Sequence, residues 1–571
     1  MTSPLFDRSD LLTLLGKRVE GFRSGYRQNL ALIGPAGIGK STIVREFILR
    51  EAGPGSLLLP LCLEVGPEEN GPEWISRFAR TVLYAVLEIS KADSFPSRPS
   101  DLVEACGSLV PRTAALAKRV LSLSEAGRMD EAYDPLWELP HLLNRETGHR
   151  VLLVVEEFHR LRGLPVKEPF RPLGRKIMVQ PTTLYIVTSS EPAAAHAILR
   201  EGLALLFGKF ESIEVPPLSA PASRKAIRSV SAGGMADPFA EYLLMDLAQG
   251  SPARLNLLLE ASRKVCAEQE PLHFLLELLE SLFLDPDSLL RGEFEKRLRL
   301  LPARRNRALC VQALDGVVSG LHRVPQIAAY VEKPAAQVSR ALKILEEGSL
   351  TVKEGPFYRI PERLFHAWLA TAYPVLQGVA LMGPLQAKLH FRRTARDWIE
   401  KMKEAAERPM EDQLRELLLL WRDELVELDG KKTLLPRFRQ LEQVPGPADQ
   451  VSLLARPMKR LKGGWWIIPW KGSLDEAQAR QMVQQMRSFG QLREYKKLLI
   501  GASPAEVNAR LVLQEAKVRF WDLAVLNRLL DLYGMSRLPV PEGSELPFFQ
   551  TVPLQEDPPP RVGEAASEVA G

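Results

Sequence analysis

The eight residues Gly34, Pro35, Ala36, Gly37, Ile38, Gly39, Lys40 and Ser41, reading GPAGIGKS (34–41), decide how the rest of the chain is read. A short apolar run, QNLALIG (28–34), leads into them. A stretch with apolar residues at helical spacing, KSTIVREFILREA (40–52), leads out. Strand, glycine-rich turn and helix in that order match the phosphate loop G-x-x-x-x-G-K-[ST] in full. The glycines let the backbone curl so that successive N–H groups face one anion. Lys40 can reach the β and γ phosphates of a nucleotide, and the Ser41 hydroxyl can ligate Mg²⁺. The helix start adds its positive dipole end. Residues Gly34 to Ser41, with Thr42, are therefore the expected ATP-binding residues.

Further apolar runs follow this loop. SLLLPLCLEV (56–65), RVLLVVEEF (150–158) and TTLYIVTSS (182–190) read as buried strands, with ESIEVPPLS (211–219) as a fifth. Helical segments separate them, which argues for a parallel sheet covered on both faces. The run at 150–158 closes in Glu156 and Glu157, and open sheets of this kind place ligands at that strand end. Glu156 suits the Mg²⁺ shell, and Glu157 suits the base that polarises an attacking water.

The segment order resembles AAA+/STAND P-loop ATPases, specifically the archaeal-type ATPase family. LFDR (5–8) followed by Asp10 and Leu11 is similar to that family's opening segment, which implies that Arg8 lies near the adenine. GPAGIGKS is similar to its Walker A, and VVEEFHRL (154–161) to its Walker B and following helix. TSSE (188–191) resembles the sensor 1 position, which implies that Ser189 or Ser190 senses the γ-phosphate. GSP (250–252) resembles the G-x-P motif of the helical lid, from which Arg254 would contact phosphate. The resemblance spans residues 5–375. One position departs from it: Glu156 stands where the family carries Asp. The extra methylene moves the carboxylate by roughly 1.5 Å, and Mg²⁺ tolerates little distortion. Slow turnover is then as consistent with the sequence as fast turnover. The arginine finger stays unassigned between Arg171 and Arg175.

Beyond residue 219 the pattern turns helical. The expected organisation is an ATPase core (1–219), a helical lid (220–302), a winged helix (303–375), a helical connector (376–443), a smaller α/β domain (444–537) and a disordered tail (538–571). Within the winged helix, VPQIAAYVEK (324–333) and PAAQVSRALKILEE (334–347) read as helices, the second beginning at its proline. GSLTVKEGPFYRIP (348–361) reads as two strands around a tip of Glu354, Gly355 and Pro356. Gln337, Ser339, Arg340 and Lys343 would lead into a DNA groove. Such modules also bind proteins, and Glu332, Glu346, Glu347 and Glu354 dilute the basic face.

EDQLRELLLLWRDELVE (411–427) reads as one amphipathic helix. The strands DQVSLLAR (449–456), GWWIIPWK (464–471), KKLLIG (496–501) and VRFWDL (518–523) resemble the restriction-endonuclease-like fold. That resemblance puts Asp449 and Lys471 at its first acid and lysine positions. Pro469 takes the second acid's place and cannot bind metal, so the implied nuclease is degenerate. Trp465, Trp466 and Trp470 read as core.

A net charge of +5 over 571 residues permits a polyanionic partner without requiring one. Cys62, Cys106, Cys266 and Cys310 lack zinc spacing and read as four buried thiols in a reducing cytosol. No run approaches the ~20 apolar residues of a membrane span, so the expectation is a cytoplasmic protein that meets no membrane. The fold class expected is an α/β P-loop NTPase with a lid, a winged helix and a second, smaller α/β domain. Three functions remain open: an ATPase acting on or near DNA, an ATP-binding switch that assembles with a protein partner or as a homo-oligomer, and an ATP-regulated nuclease.

Overall fold

The computed structural model describes residues 7–540, except 54–55, 93, 204–209, 231–236, 266–269, 302–304, 429–430, 459–463 and 504. The chain forms two compact units, Met1–Pro216 and Pro217–Gly571.

The first unit is built on β1 (Asn29–Ile33), β2 (Leu58–Glu64), β3 (Arg150–Glu156), β4 (Thr183–Ser189) and β5 (Phe210–Glu214). They form a parallel sheet in the order β2-β3-β4-β1-β5. Successive strand side chains point to opposite faces, and here both faces are covered. Leu30, Leu32, Leu152, Val154, Leu184 and Ile186 pack with the helices Ser9–Arg23 and Lys40–Glu51. Ala31, Ile33, Val151, Leu153, Val155, Tyr185 and Val187 pack on the other side. Burial on both faces explains why β1, β3 and β4 read as continuous apolar runs rather than alternating ones. Five helices between β2 and β3, from Gly71–Ile89 to Leu139–Thr147, extend the second layer. Cys62 departs from the expected burial: it lies on the exposed side of edge strand β2, while Cys106 and Cys310 are buried and Cys266 is outside the described residues.

The second unit begins with helices from Ala220–Val230 to Leu289–Arg299. The helices Arg305–Val318, Val324–Tyr330 and Ala335–Glu347 follow, then the hairpin of β6 (Val352–Glu354) and β7 (Phe357–Arg359). Pro334 is the cap of its helix rather than its first residue. The expected tip is where the chain turns, at Gly355 with φ 60°. This hairpin is not free. A Cβ on Gly355 would lie 2.7 Å from the Leu425 carbonyl oxygen. Glu354 pairs with both Arg359 and Arg528, and the Arg323 guanidinium lies over the Phe357 ring at 4.8 Å and the Tyr533 ring at 5.4 Å.

The expected helix over 411–427 is shorter in the structure. It runs Met410–Leu420, and β8 (Glu424–Leu428) then pairs with β9 (Lys431–Leu435). Trp421 takes extended backbone angles and is fully buried among Phe438, Trp465 and Trp521, and Asp423 adopts φ 67°. Tertiary packing of one large ring thus ends a helix that periodicity alone would continue.

β10 (Phe438–Pro445), β11 (Val451–Pro457), β12 (Trp465–Trp470), β13 (Lys496–Gly501) and β14 (Val518–Trp521) form a five-stranded sheet in sequential order. β11 runs against its neighbours, and β12, β13 and β14 are parallel. The sheet starts inside the stretch expected to be connector, because β10 is mostly polar and gave no apolar signal. Asp449 falls before β11, at the end of a short turn of helix, Pro447–Asp449. Trp465 and Trp466 are buried, as the sequence suggested, and Trp470 is partly exposed. Of the expected tail, Leu538 and Val540 are buried, and the Leu538 amide donates to Asn527 at 2.8 Å. Residues 541–571 lie outside the described residues.

A buried charge network ties distant segments of this unit together. Arg537 donates to Asp531 at 3.0 Å and to Asp246 at 3.2 Å, and Arg363 donates to Asp246 at 2.9 Å. Among the described residues no helix is long and apolar enough to cross a membrane.

Candidate nucleotide site

β1 delivers its carboxyl end into the glycine loop, and β4 lies between β1 and β3. The phosphate loop, the tip of β4 and the acids at the end of β3 therefore share one sheet edge. Gly37 and Gly39 adopt φ 76° and 96°, which L side chains rarely take, and the helix begins at Lys40. The Gly34 amide donates to the Ser189 carbonyl at 3.2 Å, tying the loop to β4. Pro35, Ala36, Gly37, Ser41 and Thr42 are exposed, whereas Ile38 is buried.

The Lys40 ammonium is buried and folds back onto its own loop, donating to the Gly34 oxygen at 2.8 Å and the Pro35 oxygen at 3.1 Å. Burial lowers its pKa, against the pull of Glu157 and Glu156. Its hydrogen bonds go to neutral carbonyl acceptors, so an anionic phosphate can exchange with them and add an ion pair to the bond.

The Ser41 hydroxyl donates directly to Glu156 Oε2. Burial raises the Glu156 pKa from its ordinary value, and Glu64 and Glu157 push the same way, while the Ser41 bond opposes them. Glu64 is the register partner of Glu156 across β2 and β3. Two neutral or anionic oxygens in contact form a donor set that Mg²⁺ accepts. Among the described residues no cluster of three or more His, Cys, Asp or Glu side chains is arranged to hold a metal.

Glu157 sits in the left-handed region at φ 55°, which turns its side chain away from the line of β3. Its amide donates to Thr188 Oγ1 at 3.3 Å. Its Oε2 accepts from the Ser190 amide at 2.9 Å and the Ser190 hydroxyl at 2.6 Å. Of the two serines weighed in the sequence, Ser190 thus meets the acid. Ser189 is fully buried, with its hydroxyl 2.9 Å from His159 Nδ1. His159 also stands 3.5 Å from Glu157 and 3.4 Å from Glu191, and burial lowers its pKa against the pull of both. Thr188 and His159 carry no sequence signal of this role; only the juxtaposition of β3 and β4 reveals it.

The Arg8 side chain is 3% exposed and donates to the backbone oxygens of Ile38 at 3.3 Å and Pro216 at 2.8 Å. It therefore ties the loop to the Pro216 carbonyl. Arg171 and Arg175 form surface ion pairs with Glu168 at 2.9 Å and Asp134 at 3.1 Å. In the second unit Arg254 is gripped by Glu293 at 2.7 Å and Glu362 at 2.8 Å. Burial pulls its pKa down, but these two carboxylates outweigh that and raise it. On the helix Ala335–Glu347, Val338, Ala341, Leu342 and Leu345 face the core. Gln337, Ser339, Arg340 and Lys343 are all exposed on the other side, with Lys343 3.8 Å from Glu347. Lys471 pairs with Glu411 at 3.0 Å.

A search of curated proteins found no match to the chain. Among solved structures, the chain is similar to the Walker-type ATPase of Pyrococcus abyssi at 17% identity, covering 64% of this chain and 96% of that one with TM-score 0.44. It is also similar to the Aeropyrum pernix ORC1 protein in complex with DNA, at 16% identity, 66% and 95% coverage and TM-score 0.38. The Thermotoga maritima RuvB Holliday junction branch migration motor matches at 13% identity, 63% and 94% coverage and TM-score 0.30. The family model of the AAA ATPase domain matches residues 4–176, a span that holds Arg8, the phosphate loop, Glu156 and Glu157.

Proposed function

We propose that the chain binds ATP with Mg²⁺ at residues 34–42 and couples its hydrolysis to conformational change on or near DNA. The observation that carries this reading is the contact of Ser41 with Glu156 beside the buried Lys40 ammonium, at the carboxyl edge of the sheet. Ser41 and Glu156 would hold Mg²⁺, which when bound neutralises charge on the β and γ phosphates. Lys40 would leave the loop carbonyls for phosphate. Glu157 would orient the attacking water once released from Ser190, which would report the γ-phosphate in place of Ser189.

The helix–turn–helix and hairpin at 305–359 support the reading of a winged helix. The exposed Gln337, Ser339, Arg340 and Lys343 support contact with nucleic acid through that helix rather than through the hairpin, which packs on Leu425 and Arg528. The sequential five-stranded sheet supports the reading of a degenerate restriction-endonuclease-like domain: Pro469 lies within β12 and offers no ligand, and Lys471 is engaged by Glu411.

A second reading is a switch that binds ATP with little turnover and assembles with protein partners or copies of itself. The double hydrogen bond from Ser190 to Glu157 favours it, because the base is held in this conformation. Turnover separates the two. DNA-stimulated phosphate release, lost in Lys40→Ala and Glu157→Gln, is expected for the motor. ATP binding without phosphate release, with or without DNA, would leave only the switch.

A further inference from the structure

Arg8 is a buried cation whose described hydrogen bonds go to two main-chain carbonyls rather than to a nucleotide-facing surface. Burial lowers its pKa, with Asp7 opposing. A buried guanidinium is costly unless its donors are satisfied. The two acceptors it has found are far apart in sequence. Ile38 belongs to the phosphate loop, and Pro216 is the last residue of the first unit.

Loop and exit are packed together elsewhere too. The Val215 amide donates to the Ile33 oxygen at 2.8 Å, extending the pairing of β5 past its end. A Cβ on Gly34 would lie 3.1 Å from the Val215 oxygen and 3.2 Å from the Ile38 side chain. A side chain at Gly34 would thus crowd the exit where it approaches the loop. The chain then continues through Pro216 and Pro217, two residues whose rings lock φ. A displacement of the Pro216 carbonyl has little local freedom to dissipate and passes on along the chain.

We infer that Arg8 is a positioning residue that couples the conformation of the phosphate loop to the exit segment Val215–Pro216, and so to the chain that follows it. The inference rests on the nucleotide reading of the loop. When the loop N–H groups turn to a nucleoside triphosphate, the Ile38 carbonyl turns with its peptide plane. Arg8 holds that carbonyl and the exit carbonyl on one nitrogen, so the exit follows. Arg8 acts behind the loop and takes no part in the chemistry.

Hydrogen exchange on the full chain, with and without MgATP, tests this in two windows. Amides of residues 34–44 report nucleotide binding, and amides of residues 210–220 report the exit. Both windows are expected to respond in the wild type. In Arg8→Met the loop window is expected to respond at saturating MgATP while the exit response disappears, and Arg8→Lys is expected to restore it. A merely structural role would lower the melting temperature and leave the ATP response of the exit in place; that result overturns the inference. Arg8→Gln replaces Arg8→Met if the latter does not fold. A wild-type exit that ignores MgATP while the loop window responds also overturns it. A loop window that does not respond removes the nucleotide reading itself, a distinguishable failure.

Discussion

Replacing Asp531 by Asn should destabilise the second unit by several kcal/mol, and the structure supplies the magnitude. Asp531 lies against Arg537 at 3.0 Å and Arg363 at 3.8 Å, and Asp246 is the second carboxylate of the cluster. Burial alone would raise the Asp531 pKa, but Arg537 and Arg363 outweigh it and hold it at about 2 against an ordinary 3.8. At about 1.4 kcal/mol per unit, the ionised form contributes on the order of 2.5 kcal/mol. The neutral amide forfeits that and leaves two buried guanidiniums to share Asp246. Removing one partner of a buried pair typically costs about 3–5 kcal/mol. Urea unfolding of the full chain followed by tryptophan fluorescence reads the loss, because Trp74 and Trp137 are the only tryptophans before residue 217. The sign with pH follows from a depressed carboxyl pKa. The stabilisation is complete above the ordinary range near 4 and disappears as pH falls toward 2, so the Asp531→Asn variant and the wild type should converge in acid. A change below about 1 kcal/mol at neutral pH, the size of an exposed pair, would refute a buried network joining residues 246, 363, 531 and 537.

Four further outcomes are expected. Gly39→Ala forces a Cβ into φ 96°; a strain of roughly 1–3 kcal/mol should weaken ATP affinity by about 5- to 150-fold, measured by calorimetry. On the proposed role of Glu157 as base, Glu157→Gln should retain ATP binding and abolish phosphate release; a turnover assay beside a binding titration checks both. Because burial raises the Glu156 pKa, with Glu64 and Glu157 adding to it, MgATP affinity should begin to fall at a higher pH than for an ordinary glutamate, as protons compete with Mg²⁺. In Glu156→Ser that dependence should flatten, and an unchanged pH profile would remove Glu156 from the metal role. The pair Arg340→Ala and Lys343→Ala should lower the slope of log affinity against log salt for duplex DNA by about 0.9 for each phosphate no longer neutralised; an unchanged slope would take this helix out of the interface.

The phosphate loop was legible because its function is a local backbone shape. Gly37 and Gly39 hold positive φ, and Lys40 and Ser41 stand at the helix start, all within eight consecutive residues. The central strands β1, β3 and β4 were legible for a related reason: burial on both faces leaves runs such as VLLVV with no other stable place. β10 was not, because it is a polar edge strand whose pairing with β11 carries it. The helix over 411–427 failed where Trp421 found a better site in an aromatic cluster than on a helix face.

What the sequence determined by itself is the phosphate loop, the carboxylates at the end of a buried strand and the parallel sheet that presents them. Each depends on residues adjacent in the chain. Tertiary structure alone decided that Ser190 holds Glu157, that His159 stands between two acids, and that the hairpin at 352–359 packs against the C-terminal elements. It alone set the Arg8 guanidinium between the carbonyls of Ile38 and Pro216. These contacts join residues far apart in the chain, and a local pattern carries no information about which distant carbonyl a buried guanidinium will meet.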